Sequence, residues 1–596
     1  MLGLAEELFQ KEKNQRFSNY FWPFLEELRE LKIFSDHDVI IAEKSLGKDC
    51  SEAMAAFFLY LFQAARKGHV CVLLNEEFCN PQPLDLWTQR YLEEFGENCK
   101  ERLKIVSDKY IKLLFQGLKQ WKERDFTVAN RQIFKEENQH YYFSKNWSIE
   151  GNLIKSVQKF SRSIPLLSID ENGIENELKE LESSSILLAE QAAVIRTASK
   201  QTLNFLIGGP GTGKTYTAAH LVRLLSKYVE CRGNYFQVAM AAPTGKAAAQ
   251  LQASLNRFLP DSEIQAQTLH KLLDVSKRKR GELRLLDADL ILVDEASMID
   301  IQIMSYLFSA LKPGSRLLLI GDPHQLPPVE IGGAFLALLS SAENLQPLAK
   351  CMRAEFQTIV SLSDAINTGD CKAAVHWTKT ERSVVDFYPL KSDRDILKLA
   401  ERHHVFESFQ SPHEALSSLE ESRFLSPLRK GVFGVDRVND LLFEELRKKR
   451  KRSEAIWIPI MILRNHYGLG LFNGQMGVLL ASSHGTSPEQ IQGSRDAFAY
   501  FLAGNDEGIR KIPAVLLPEF EWAFCISVHK SQGSEFQHVL FLLPDGAEVF
   551  GRELLYTGVT RAKKKLTLIG EDAVFESMVA QKSTHVSAMA SRMQKE

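Results

Sequence analysis

The sequence predicts an α/β protein in which helices cover mainly parallel sheets, with a helical N-terminal region and a small β insertion. Three observations carry that prediction. From Glu190 onward, short apolar runs alternate with helical stretches: Asn204–Ile207, Phe236–Ala241, Leu290–Val293 and Arg316–Ile320, then Phe424–Pro427, Trp457–Leu463, Gly477–Ala481, Phe524–Ser527, His538–Leu543 and Lys565–Ile569. Unbroken apolar strands of this length between helices indicate a parallel sheet buried on both faces. Before them, Met1–Lys13, Tyr20–Leu31, Glu52–Lys67 and Glu101–Trp121 place apolar residues at i, i+3, i+4 spacing, with one short strand at His69–Asn75. Between about 450 and 520 the second strand set is interrupted by Gly-rich short strands, the mark of an inserted β unit.

A chain of 596 residues holds about four domains at roughly 150 residues each. Lys and Arg number 73 against 75 Asp and Glu, a net charge of −2 that excludes a polybasic protein held to nucleic acid by bulk charge. A local basic groove remains compatible with that balance. The 44% hydrophobic and 25% charged fractions exclude extensive disorder. Eight cysteines without a Cys-x-x-Cys pair exclude a disulfide scaffold and point to a reducing, cytoplasmic compartment. The opening MLGLAEELFQKEK carries acids where a signal peptide needs bases, and the longest apolar run, Ala53–Phe62, falls short of the ~20 residues that span a bilayer. No membrane association is expected. Residues 165–185, acidic and turn-rich, read as a connection.

Gly208, Gly209, Pro210, Gly211, Thr212, Gly213, Lys214 and Thr215 fit the pattern Gly-x-x-x-x-Gly-Lys-Ser/Thr, directly after a strand and before a predicted helix at Tyr216–Lys227. Glycines let successive backbone N–H groups converge on phosphate oxygens at the positive end of a helix dipole. Lys214 then reaches the β- and γ-phosphates, and the Thr215 hydroxyl ligates Mg²⁺. At the end of another apolar strand, Asp294 and Glu295 fall in the crevice where α/β sheets bind ligands. Asp294 suits the Mg²⁺ shell, and Glu295 suits polarisation of the attacking water. Nucleoside triphosphate and Mg²⁺ are the cofactors these residues call for.

A phosphate loop does not separate kinase from GTPase or motor. No Asn/Thr-Lys-x-Asp stretch for guanine is present. The later motifs are Ala242–Lys246 (APTGK), Thr268–His270 (TLH), Gly321–Pro328 (GDPHQLPP), Val528–Glu535 (VHKSQGSE) and Tyr556–Ala562 (YTGVTRA). With the phosphate loop and the Asp294–Glu295 pair they resemble the superfamily-one helicases of the branch that moves 5′ to 3′, over roughly Glu190 to Gly570. Within that branch the resemblance is to the RecD family, the alpha subunits of bacterial exodeoxyribonuclease V. It is supported by the stretches APTGKAAAQL (242–251), FLSPLRKGVFGVDRVN (424–439), LRNHYGLGLFNGQMG (463–477) and, at the N-terminus, GHVCVL and NWSIEGNLIKSV.

The resemblance implies two RecA-like P-loop motor domains, an ATP site between them, and an ATP-hydrolysing 5′→3′ DNA helicase. It divides the chain into a helical partner-docking domain at 1–165 and a first motor domain at 186–350. The second motor domain takes 351–450 and 521–575, a small β-barrel insertion 451–520, and a C-terminal tail 576–596. It assigns Gln191 to adenine, Gln325 to sensing the γ-phosphate, Arg353 and Arg561 to the γ-phosphate from the second domain, and Glu535 to the nucleotide or its coupling network. Arg353 stands in LAKCMRAEF, which departs from the usual Phe-Arg-Gln form. Thr244, Lys246, Thr268, His270, His529, Lys530 and Ser531 are implied to line a single-strand track, whose hydroxyls and lysines suit phosphodiester contacts without base preference. Phe433, Tyr467 and Phe472 are stacking candidates for which core packing is the alternative. The basic runs Lys277–Arg280 and Arg447–Arg452 read as solvated surface or as an electrostatic patch.

The implied setting is a complex with RecB-like and RecC-like subunits acting on double-strand DNA ends in repair and homologous recombination. The alternatives are an autonomous RecD-like helicase and an assembly subunit with vestigial ATPase. The intact Lys214, Thr215, Asp294, Glu295, Gln325 and Arg561 speak against the last. No nuclease constellation is apparent, and His324 and the other histidines lack metal-ligand spacing.

Overall fold

The computed structural model describes residues 22–47, 50–87, 100–123, 127–128, 131–132, 134–229, 236–259, 264–278, 281–282, 284–328, 330–342, 345, 347–348, 357–450, 454–482, 487–494, 496–502, 508–582 and 585–594. The helix expected at Met1–Lys13 and the Arg353 assignment lie outside them.

The first parallel sheet runs in the order Leu203–Ile207, Arg316–Gly321, Leu290–Val293, Val238–Ala242, Ala266–Thr268, with every neighbouring pair parallel. Alternation along the two central strands sorts their side chains onto two helical layers. Leu290, Leu292, Leu318 and Ile320 face the helices Ala189–Lys200, Lys214–Tyr228 and Gly245–Phe258. Ile291, Val293, Leu317 and Leu319 face Ile301–Ala310, Ala334–Ser340 and the N-terminal region's helix Ser144–Ser161. Burial on both faces is why these strands read as uninterrupted apolar runs.

The second parallel sheet has the order Val385–Tyr388, Ala562–Gly570, Phe536–Leu543, Ser422–Ser426, Cys525–Ser527, again parallel throughout. A five-stranded antiparallel sheet interrupts it, ordered Ile509–Pro513, Phe498–Leu502, Met476–Ser482, Ala455–Ile462, Phe520–Trp522. Its two outer strands do not pair with each other among the described residues. The insertion also runs past 520, because Phe520–Trp522 bonds to Ile460–Ile462 rather than joining the parallel sheet.

Two expectations need correction. The N-terminal region, expected to be mainly helical with one short strand, holds a four-stranded antiparallel sheet, Cys79–Asn80, Val72–Leu74, His140–Phe143, Phe134–Glu137, among its helices. The acidic stretch 165–185 is not merely a connection, since Glu171–Ser183 is a helix. Its N-terminus is capped by Asp170, whose carboxylate accepts from Gly173 N at 3.0 Å, and Ile174 and Leu178 are buried. Its acids pair with cations of the neighbouring helices, Glu175 and Glu182 with Arg196 at 2.7 and 2.9 Å and Glu177 with Arg223 at 2.7 Å.

Past the helix Asp572–Ala580, the C-terminal segment returns to the N-terminal region. Val70 N donates to Val586 O at 3.0 Å, and Ser587 Oγ donates to Glu150 Oε1 at 2.9 Å. Arg592 Nη1 meets Glu150 Oε2 at 2.7 Å, with Glu150 0% exposed. Removing one partner of a buried pair strands the other charge. Arg592→Ala is therefore expected to destabilise the protein by about 3–5 kcal/mol, read as a lowered denaturant midpoint; an unchanged midpoint would show that the clasp contributes nothing.

Candidate nucleotide cleft and nucleic-acid track

The strand Leu203–Ile207 delivers the chain into the phosphate loop, and the helix Lys214–Tyr228 carries it away. Two glycines are sterically required. A Cβ on Gly208 would lie 2.6 Å from Thr212 Oγ1 and 2.9 Å from Leu348 O. Gly213, at φ +83°, ends the loop in the left-handed region, where a Cβ would stand 2.7 Å from Gln191 Nε2. Thr212 Oγ1 donates to Gly209 O at 2.9 Å and closes the loop on itself. Lys214 Nζ folds back over the loop, donating to Gly208 O at 2.8 Å and Gly209 O at 2.9 Å. Its ammonium is thus held where the loop converges.

Gln191 is buried against the loop, its Nε2 donating to Thr212 O at 3.4 Å and its Oε1 accepting from Leu188 N at 3.0 Å. Asp294 and Glu295 follow the buried strand Leu290–Val293. Asp294 Oδ1 accepts from Glu295 N at 2.8 Å. Glu295 adopts φ 50°, ψ 42°, a left-handed conformation uncommon for a side chain of its size. Burial raises both carboxyls above their ordinary range; the Asp294 charge adds to the shift on Glu295, while Arg561 and Lys214 oppose it. These are carboxylates in want of a cation.

The second sheet reaches across to complete the cleft. Asp322, almost fully buried, accepts from His324 N at 3.0 Å, Gln325 Nε2 at 3.2 Å and, from the opposite side, Tyr556 Oη at 2.8 Å. Thr557 Oγ1 accepts from Leu326 N at 3.0 Å, and Gln532 Nε2 donates to Leu326 O at 3.3 Å. The loop Gly321–Pro328 is therefore stitched to the two motifs of the second sheet. Arg561 is buried and preset: Nε donates to Thr557 O at 3.0 Å and Nη1 to Ser534 O at 3.2 Å. Between phosphate loop and second sheet lies a cavity of about 330 Å³, lined among others by Gly208, Gly209, Thr212, His324, Tyr556 and Thr560. Gln325 Oε1 is buried without a hydrogen-bond partner, a donor-seeking atom of the kind a bound water satisfies. The lysine on the loop and the paired carboxylates fit a nucleotide with its divalent cation.

The proposed track residues divide into two kinds. Thr244 and Thr268 cap helices, accepting from Ala247 N at 3.2 Å and Lys271 N at 3.4 Å, and His270 is exposed. Lys246 points across the cleft to Ser534 Oγ. Burial pushes its ammonium down to about 8, with Glu420 opposing and Arg423 and Arg561 reinforcing the shift. Lys530 Nζ donates to Glu521 Oε1 at 2.8 Å. His529 is half-buried, and burial lowers its imidazole below the usual range. Ser531 does not fit the track as a side-chain contact: it is fully buried, and its hydroxyl donates to Val528 O at 2.7 Å, bracing the turn instead.

Phe472, from the insertion, packs so close to Gly245 that a Cβ there would lie 2.7 Å from its ring. Glu535 faces Lys563 at 3.9 Å. Some described cations of each basic run are tied to the protein. Arg278 is buried and donates to Leu273 O at 2.8 Å, and Lys449 and Arg450 are tied to Glu401 and to Phe406 O. Residues 279–280 and 451–452 lie outside the described residues. Asp322, Tyr556, Thr557 and Gln532 all lie in recognised motifs, yet their pairing across the cleft carries no sequence signal.

Nucleotide chemistry that is completed only when a second parallel sheet meets the first is the arrangement of a two-domain P-loop motor. Residues 186–387 match the AAA domain family and 523–569 the UvrD-like helicase C-terminal domain family. The RecBCD enzyme subunit RecD of Mycolicibacterium smegmatis is 33% identical over 430 residues, 68% of this chain and 74% of that protein. The subunit of the same name from Haemophilus influenzae is 28% identical over 74% of this chain and 78% of its own length. The ATP-dependent RecD2 DNA helicase of Deinococcus radiodurans is 27% identical over 68% of this chain and 52% of its own. This chain belongs to the RecD family of superfamily-one helicases.

Proposed function

We propose that this chain is the 5′→3′ motor subunit of a RecBCD-type helicase–nuclease acting at double-strand DNA ends. That it is an ATP-dependent DNA helicase follows from its family. The observation that carries the mechanism is the contact set across the cleft, in which one loop, Gly321–Pro328, touches Tyr556, Thr557 and Gln532.

Bound ATP with Mg²⁺ supplies the phosphoryl bond whose hydrolysis drives the cycle. Lys214 binds the β- and γ-phosphates, Thr215 and Asp294 hold the cation, and Glu295 takes a proton from the attacking water. Arg561, fixed by carbonyls of its own domain, brings its charge to the γ-phosphate when the sheets close. Gln325 and Asp322 pass that closure to Tyr556 and, through Gln532, to the neighbouring His529–Ser531 turn, so the strand beside it advances. The antiparallel sheet serves as the small insertion beside the track, and Phe472 fixes it against the Thr244–Lys246 motif.

Tyr556→Phe removes one charge-assisted hydrogen bond from the closed state, a loss of about 1.5–3 kcal/mol. DNA-stimulated kcat is expected to fall about ten- to hundredfold while KM for ATP stays within about twofold; steady-state ATPase assays measure both, and an unaltered kcat would remove Tyr556 from the coupling path.

Partner use is tested by co-purification with the RecB-like and RecC-like subunits of the same cell. Complex formation with unwinding enhanced in the complex supports the subunit reading. Full unwinding by the isolated chain without complex formation supports the autonomous one.

A further inference from the structure

Two cations beside the track share a single acid contributed by the inserted sheet. Lys530 Nζ lies 2.8 Å from Glu521 Oε1, and Arg429 Nη1 lies 2.6 Å from Glu521 Oε2. Arg429 also meets Asp436 at 2.7 Å. Glu521 sits on the edge strand Phe520–Trp522, while Lys530 lies on the turn His529–Ser531 and Arg429 follows the strand Ser422–Ser426. Exposure is unequal. The Glu521 side chain is 12% exposed, against 31% for Lys530 and 44% for Arg429. The acid is thus behind, and the two cations present their outer faces to solvent. With Asp436 included, the four charges sum to zero.

We infer that Glu521 is a built-in phosphate surrogate: it holds Arg429 and Lys530 when no strand is present and competes with backbone phosphates for them. This rests on the reading that Lys530 lies on the single-strand track. A carboxylate and a phosphodiester make the same charge-assisted contacts with ammonium and guanidinium groups. A strand that takes the two cations must displace Glu521, and Glu521 reclaims them when the strand moves on. Glu521 thereby lowers the affinity of the track and speeds release of each phosphate. It is a positioning residue that touches the cations rather than the strand.

The test is binding of a fluorescent oligothymidylate to the full-length protein across a salt series. Glu521→Gln leaves the local sum at +1. It is expected to tighten binding about three- to tenfold at low salt and to steepen the log–log salt slope by about 0.7, one further counterion released. In a Lys530→Gln background the same change should yield less than half of that gain, a coupling that a merely structural role would not produce. Unchanged or weaker binding by a Glu521→Gln protein that melts like the wild type overturns the inference. Should that variant not fold, Glu521→Asp, which keeps the charge and shortens its reach, is expected to shift binding in the same direction by less; no shift overturns the inference equally. The track reading fails separately, if Lys530→Gln alone binds as tightly as wild type.

Discussion

Lys214→Ala is expected to abolish ATP hydrolysis and unwinding while leaving the protein folded and able to bind single strands. The lysine stands on the phosphate loop with its ammonium on the carbonyls of Gly208 and Gly209. On the proposed reading those two hydrogen bonds are exchanged for phosphate oxygens on nucleotide binding, so their loss is expected to cost the folded state little. The charge they position is what the β- and γ-phosphates need. A fall in ATPase of at least about 10³ is expected, with a melting midpoint within a degree or two of wild type. Residual ATPase above a few per cent would move the site away from this loop.

Arg561→Ala is expected to have the second largest effect. The guanidinium is anchored to Thr557 O and Ser534 O and bears on Glu295 from the far side of the cleft. A charge held there acts only in the closed state. Its removal is expected to lower kcat by about 10³–10⁵ with little change in KM. Arg561→Lys should recover little of it, because an ammonium cannot hold two carbonyls and still reach forward. Loss of a donor to two buried carbonyls also costs about 1–3 kcal/mol. Single-turnover kinetics at saturating ATP, beside a denaturant melt, separates the catalytic loss from the structural one.

The central strands were legible in the sequence because burial on both faces leaves unbroken apolar runs, as in Leu290–Val293 and in Arg316–Gly321 after its first residue. Ala266–Thr268 and Val385–Tyr388 were not, being short edge strands with little apolar contrast. The helix Glu171–Ser183 was masked by its Asn-Gly and acidic composition; its Asp170 cap, its buried Ile174 and Leu178 and its ion pairs with Arg196 and Arg223 explain it. For the site, the phosphate loop and carboxylate pair could be read from local spacing. The partnership of Asp322 with Tyr556 could not, since it joins motifs more than two hundred residues apart. Ser531 misled for a related reason: a hydroxyl in a track motif was turned inward to brace its own turn.

The central claim is that closure of the cleft drives movement along one strand in one direction. Unwinding of 5′-tailed and 3′-tailed duplexes by the purified protein, with ATP and with the Lys214→Ala variant as control, tests it most directly. Strand separation of the 5′-tailed substrate alone, absent in the variant, is the predicted result. Equal or preferential unwinding of the 3′-tailed substrate would contradict the account.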